Sequence, residues 1–297
     1  HIVLPEFSVT ATENILMAAA LLPGTTTIEM AAYEPHVQDV QAFLAARGAH
    51  TVPVGPHAIA ITGSTTLTAG EHTVTPDYLE AGAFALAALV TRGAVRIHGA
   101  LPSHLTSFLG SLRRAGAVWH FEPDGALAVD GKASDLHAVR VQTNIFPGFP
   151  TDLQAPMGVL LTQAKGVSRI FEVLFEGRMA YLYELEKMGA HIEILNSHQA
   201  LIIGPTKLMG RTVASNDIRA GVAMVIAGLC AEGVTTITDV HYIERGYERL
   251  DEKLRSLGAT IERFEEPEPS RDSVNNLLYH PDPHGEILSN QRGGLPR

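Results

Sequence analysis

Three aspartates open apolar segments at matched distances from a glycine. Asp77 lies 16 residues before Gly93, Asp152 lies 14 before Gly166, and Asp217 lies 16 before Gly233. Thr10 holds the comparable place 14 residues before Gly24. Two arginines are matched in the same way: Arg178 and Arg245 each lie 12 residues after their glycine, in a slot filled by His36 and Leu105 elsewhere. Arg219 stands beside Asp217. A carboxylate placed against a hydroxyl can take its proton. Arginines gathered at helix N-termini suit phosphate and carboxylate groups. Each residue also has a plainer reading. Aspartate is a preferred helix N-cap, and Arg178, Arg245 and Arg219 could pair at the surface with Glu176, Glu244 and Asp217. Their setting after strands and near glycines, where binding groups collect, favours the chemical reading for the arginines.

The matched spacings belong to a longer repeat. A glycine leading into β-rich sequence recurs at Gly24, Gly93, Gly166 and Gly233, and a Gly-Ala pair recurs at Gly48, Gly116, Gly189 and Gly258. The pair follows the first glycine by 24, 23, 23 and 25 residues. Each copy reads as a polar opener, an apolar helix ending at the first glycine, a strand, a second amphipathic helix running to the Gly-Ala pair, and another strand. In the last copy the second helix is expected from Tyr247 to Leu257, with Leu250, Leu254 and Leu257 on one face. A βαβαβ-type unit of about 70 residues cannot bury its apolar face alone, so copies must pack on each other. Equivalent openers should then gather at equivalent helix ends. The expected organisation is residues 1–75 as the end of a first domain, 76–264 as a second domain of three units, and 265–297 as a tail without regular structure. His280 and His284 in that tail are unpositioned for a metal.

Composition narrows the function. The 297 residues are 45% hydrophobic and 18% charged, the balance of a soluble globular protein. The apolar run Ala81–Val90 is too short to span a bilayer. The formal net charge of −10 argues against nonspecific nucleic-acid binding, while leaving room for a local cationic cleft. One cysteine, Cys230, excludes an internal disulfide and a Cys-rich metal site; it falls in an apolar helix and reads as a buried, inert thiol. No phosphate loop, nucleophile elbow, zinc-protease or dinucleotide motif is present. The start at His1 has no signal peptide and enters patterned sequence at once, so the chain is expected to begin inside a larger protein.

The segments Phe149-Pro150-Thr151-Asp152-Leu153-Gln154-Ala155, Phe175-Glu176-x-Arg178, Asn216-Asp217-Ile218-Arg219-Ala220 and Arg245-Gly246-Tyr247-Glu248-Arg249, with Ser8-Val9-x-Ala11-Thr12-Glu13-Asn14-Ile15, carry a resemblance. In order and spacing they resemble the signatures of the UDP-N-acetylglucosamine 1-carboxyvinyltransferase family across residues 1 to about 264. The resemblance implies an inside-out α/β barrel of the EPSP synthase-like kind, in two domains of three repeated units with helices packed at the centre, the first domain incomplete here. It implies cytoplasmic peptidoglycan precursor synthesis from UDP-N-acetylglucosamine and phosphoenolpyruvate, with no cofactor, metal, nucleic acid or membrane partner. The implied reaction transfers the enolpyruvyl group to the sugar 3-hydroxyl through a tetrahedral adduct and releases phosphate.

Carried over by position, the resemblance makes Asp152 the base candidate at the 3-hydroxyl and Asp217 a second site carboxylate. Arg178, Arg219 and Arg245 fall around the phosphoenolpyruvate phosphate and carboxylate. Ser8, Val9, Thr10, Thr151 and Leu174 fall at uridine or diphosphate contacts. The chain departs from the family at Glu6, where a lysine is usual, at Thr10, where a glycine is usual, and at Gly177, where an asparagine is usual. The family's N-terminal Lys-Asn pair, catalytic-loop Cys and loop arginines have no counterpart here, and Cys230 does not match that Cys. The missing N-terminal segment of the same protein is therefore an expected partner, and this chain alone is expected to be inactive. Two other functions fit the same residues: a non-catalytic nucleotide-sugar-binding homologue or fragment, and a 3-phosphoshikimate 1-carboxyvinyltransferase.

Overall fold

A computed structural model describes residues 1–264; the expected tail from 265, with its two histidines, lies outside the described residues. The described residues fall into two units, one of His1–Leu250 and one that begins at Asp251. Four copies of the repeat run along it. The first is β1 (Ile2–Ser8), α1 (Val9–Ala19), β2 (Thr25–Ala31), α2 (Pro35–Ala46), β3 (His50–Gly55) and β4 (Ala58–Thr62). The second is α3 (Tyr78–Val90), β5 (Ala94–Ile97), α4 (Pro102–Arg114), β6 (Val118–Phe121) and β7 (Leu127–Asp130). The third is β8 (Arg140–Gln142), a 3-10 turn at Thr151–Leu153, α5 (Gln154–Thr162), β9 (Gly166–Phe171), α6 (Tyr181–Lys187), β10 (His191–Asn196) and β11 (Gln199–Gly204). The fourth is β12 (Thr212–Ala214), α7 (Ile218–Cys230), β13 (Thr236–Thr238), α8 (His241–Glu244) and α9 (Leu250–Ser256). Within the first unit we propose a further boundary at Pro76-Asp77, between the sheet of the first copy and the first helix of the second.

Each of the first three copies ends in a hairpin, where the sequence pattern implies one strand. The last strand returns between its two predecessors, giving the orders β2-β4-β3, β5-β7-β6 and β9-β11-β10, all antiparallel. A strand preceding the first helix adds in parallel at β1, β8 and β12. The hairpin turns are marked in the sequence, at Gly55-Pro56 and at Pro123-Asp124-Gly125, and they divide the run that the repeat pattern takes as one strand.

The Gly-Ala pair has a specific mechanical role. Gly48, Gly116, Gly189 and Gly258 all have positive φ, 110°, 83°, 95° and 98°, and the following alanine N–H reaches back to the carbonyl of Leu44, Leu112, Leu185 or Leu254 at 3.0–3.1 Å. This is the helix stop in which a left-handed residue lets the next amide close on the last turn. The first glycine of each copy behaves differently from expectation. α5 ends at Thr162 and Gly166 opens β9, and in the second copy Arg92, with φ 53°, takes the left-handed position before Gly93. The last copy also departs: Gly246 and the loop around it break the expected helix, α9 starts at Leu250, and Leu257 is exposed while Leu250 and Leu254 are buried.

α3, α5 and α7 are apolar on all sides, the pattern of a helix surrounded by protein. Ten residues of α3, all nine of α5 and eight of α7 are buried. The three pack on one another, and each is backed by strands of its own copy. Helices therefore sit inside and sheets outside, as the inside-out arrangement requires. Leu153 locks this junction: fully buried, it lies so close to Gly82 of α3 that a Cβ there would sit 2.4 Å from Leu153 Cδ1. Leu153→Ala should cost about 2–5 kcal/mol, because a neighbour fixed in a helix cannot move in to fill the void. A fall in the urea midpoint at unchanged slope would show it.

Candidate active site

The inner helices bring their aspartates to one end. Asp77 caps α3, accepting from Leu79 N at 2.8 Å; Asp217 caps α7, its Oδ1 accepting from Arg219 N at 2.7 Å and Ala220 N at 2.9 Å. The capping reading thus holds for both. Asp152 is different. It lies in the 3-10 turn ahead of α5, where its carboxylate caps nothing. Oδ1 accepts instead from Arg178 Nη1 at 3.1 Å and from Arg219 Nε. Arg178 Nη1 also donates to Thr151 Oγ1 at 2.6 Å, and its guanidinium lies over the Phe175 ring, 3.8 Å from the centroid. Thr151, Gln154, Arg178, Tyr181, Asp217 and Arg219 line a small pocket around this cluster.

Electrostatics follow from that crowding. Burial, and then the Arg219 guanidinium, hold Arg178 below the ordinary arginine value; Asp152, Glu172 and Asp217 pull it the other way. Burial is also the main reason the Tyr78 and Tyr247 phenols are pushed well above the usual range, with Asp152 among the carboxylates that add to it. Both tyrosines therefore lie within the field of Asp152. A Cβ on Gly246 would meet Ile218 Cγ2 at 2.8 Å, so the Arg245–Arg249 segment approaches the head of α7 through glycine.

The remaining sequence-predicted residues are placed as follows. Arg245 is exposed at the end of α8 and makes no hydrogen bond or ion pair with the Asp152 cluster among the described residues. Tyr247, two residues on, is the buried member of that segment. Leu174 is half-buried, its N–H donating to Glu172 Oε1 at 2.9 Å. Gly177 has φ 80° with open space around its Cβ position, a backbone shape that asparagine shares with glycine. Ser8, Val9 and Thr10 form the head of α1; Ser8 Oγ accepts from Ala11 N at 3.2 Å, within that turn. Glu6 lies exposed on β1. Cys230 closes α7 half-buried rather than fully buried as expected, and the burial it has pushes its thiol up to about 12, in line with an inert group. Sequence reasoning passed over Glu172, Tyr78 and Tyr247. Glu172 could have been noticed as an acidic residue continuing an apolar strand into the Arg178 loop.

The family model for EPSP synthase (3-phosphoshikimate 1-carboxyvinyltransferase) matches residues 1–254. The chain belongs to the EPSP synthase family. Among its relatives, the UDP-N-acetylglucosamine 1-carboxyvinyltransferase of Magnetococcus marinus is 44% identical over 264 residues, which are 89% of this chain and 62% of that protein. The UDP-N-acetylglucosamine 1-carboxyvinyltransferase 2 of Bacillus subtilis is 43% identical over 264 residues, covering 89% of this chain and 61% of the relative. The chain thus spans about three fifths of the curated relatives it matches. The crystal structure of the enolpyruvyl transferase NikO from Streptomyces tendae superposes with a TM-score of 0.75 at 24% identity, over 85% of this chain and 60% of that one, and so shares the fold. No helix among the described residues is long and apolar enough to cross a membrane.

Proposed function

We propose that the whole protein of which this chain forms part transfers the enolpyruvyl group of phosphoenolpyruvate to the 3-hydroxyl of UDP-N-acetylglucosamine, releasing phosphate. The observation that carries the reading is the Asp152 carboxylate held between Arg178 and Arg219, the two arginines that line a pocket with Thr151 and Asp217 at the head of the inner helices. The similarity to relatives bearing that activity's name supports the acceptor over shikimate 3-phosphate.

In this reading Asp152 takes the hydroxyl proton as the sugar oxygen attacks C2 of the enol, while C3 gains a proton. Arg178 and Arg219 face the charge of the phosphate that departs when the tetrahedral adduct collapses and C3 returns a proton. Arg245 would join them at the outer edge, and Asp217 would hold the α7 head in place. Ser8, Val9 and Thr10 at the head of α1, with Thr151 and Leu174, would meet the uridine and diphosphate; free N–H groups at a helix start suit an anion. Peptidoglycan precursor synthesis in the cytoplasm is the corresponding cellular role, with the segment carried by full-length relatives completing the site.

The test is phosphate release from phosphoenolpyruvate by the full-length protein. It should require UDP-N-acetylglucosamine and fail with shikimate 3-phosphate. Binding of the nucleotide sugar without release would favour the non-catalytic reading, and release with shikimate 3-phosphate would reassign the acceptor.

A further inference from the structure

One fully buried carboxylate among the described residues forms no ion pair of its own, although Arg178 lies within its field. Glu172, directly after β9, is fully buried, and no lysine, arginine or histidine forms an ion pair with it among the described residues. Its direct contacts are hydrogen bonds from neutral donors. Oε1 accepts from Thr143 Oγ1 at 2.8 Å, Leu174 N at 2.9 Å and Phe175 N at 3.3 Å. Oε2 accepts from Thr151 Oγ1 at 2.7 Å. Its own backbone is tied to His198 through Glu172 N to His198 O at 2.8 Å and His198 Nδ1 at 2.7 Å from Glu172 O. Thr143 Oγ1 in turn accepts from Val173 N at 3.0 Å.

The directions of these bonds are fixed by chemistry. A carboxylate only accepts and a guanidinium only donates. Thr151 stands between the two, so its O–H must point at Glu172 and its lone pairs must face Arg178. That leaves the guanidinium free to serve Thr151 and Asp152 from the same Nη1. Every member has one available role, which is the condition under which a buried polar network defines a single arrangement.

We infer that Glu172 is a positioning residue, holding Arg178 against Asp152 through the Thr151 hydroxyl and through the Leu174–Phe175 amides that start the arginine's loop. The inference rests on the transferase reading for its effect on rate. Its geometric part stands without that reading.

Glu172→Gln keeps the volume and one carbonyl for the Oε1 partners, but puts an NH2 group where Oε2 accepted. Thr151 then faces donors on both sides, and Arg178 should leave Asp152. A crystal structure of Glu172→Gln without substrate should show Arg178 Nη1 beyond hydrogen-bond reach of Asp152, roughly 3.5 Å or more. In the full-length protein, kcat should fall about tenfold to a hundredfold, the scale for misplacing a site group by about 1 Å. Thr151→Val should fall by a similar factor. The double variant should be no slower than the slower single variant, because both remove one link. Thr151→Ser should recover most of the rate lost in Thr151→Val.

Losses that multiply in the double variant would overturn the proposal, as would an Arg178–Asp152 contact unchanged in Glu172→Gln. Should Glu172→Gln not fold, the Thr151→Val crystal structure decides: Arg178 still on Asp152 overturns the relay, and its displacement supports it. Absence of phosphate release by the unmutated full-length protein would sink the transferase reading, while the crystallographic comparison would still judge the relay.

Discussion

Asp152→Asn should lower kcat of the full-length protein by about a thousandfold, within the range of about 10²–10⁴ typical of a positioned general base, and leave the fold intact. The asparagine carbonyl can still accept from Arg178 and Arg219, so the local geometry has a near-isosteric replacement. What it cannot do is carry the hydroxyl proton. Stability should change by about 1 kcal/mol or less, because the Asp152 side chain is 34% exposed and pairs at that exposure are worth little. Affinity for UDP-N-acetylglucosamine, measured by calorimetry, should shift far less than kcat, since the loss falls on the transition state. Turnover within tenfold of the unmutated protein would remove Asp152 from the base role.

The difference between Asp152 and its counterparts shows how far the repeat could be read. Matched spacing put Asp77, Asp152 and Asp217 at equivalent helix ends, and the structure brings those ends within one electrostatic neighbourhood around Tyr78 and Arg178. Spacing could not say which aspartate would face arginines instead of its own helix. That depends on a single local feature: the 3-10 turn at Thr151–Leu153 sets Asp152 off the helix axis, where Asp77 and Asp217 stay bound to their own amides.

The arginines make the same point in reverse. Arg178 and Arg245 share a slot, yet Arg178 turns inward and Arg245 lies exposed. Glu172 gathers the loop before Arg178 through the Leu174 and Phe175 amides. In the last copy the corresponding chain passes through α8 instead, and Tyr247 is the side chain that goes inside. Inner helices were legible because α3 and α5 are apolar all round. Glu172 was not, because its burial is decided by Thr143, Thr151 and His198, residues 21 to 29 positions away. Long-range pairing of that kind leaves no period in the sequence.

Arg178→Lys should lower kcat/KM for phosphoenolpyruvate about 10²–10³-fold, the scale seen when one preorganised donor to a developing charge is lost. The positive charge is nominally kept, so the size of the loss measures what the guanidinium does beyond carrying charge. It joins Thr151 and Asp152 from one nitrogen and lies over the Phe175 ring. An ammonium has the donors for both oxygens, but its shorter stem does not carry it to the place of Nη1, and it cannot lie over the Phe175 ring as the planar guanidinium does. It is also a more strongly hydrated ion in a site that is only 18% exposed, where burial already works against the charge of the native arginine. The same burial would draw a lysine toward its neutral form at the pH where the enzyme works. Arg178→Ala provides the reference: lysine should recover less than about tenfold over alanine, because a charge away from the guanidinium's seat restores little of the preorganisation. A lysine variant within tenfold of the unmutated kcat/KM would show that a point charge suffices, and the case for a geometric clamp on Asp152 would fall with it.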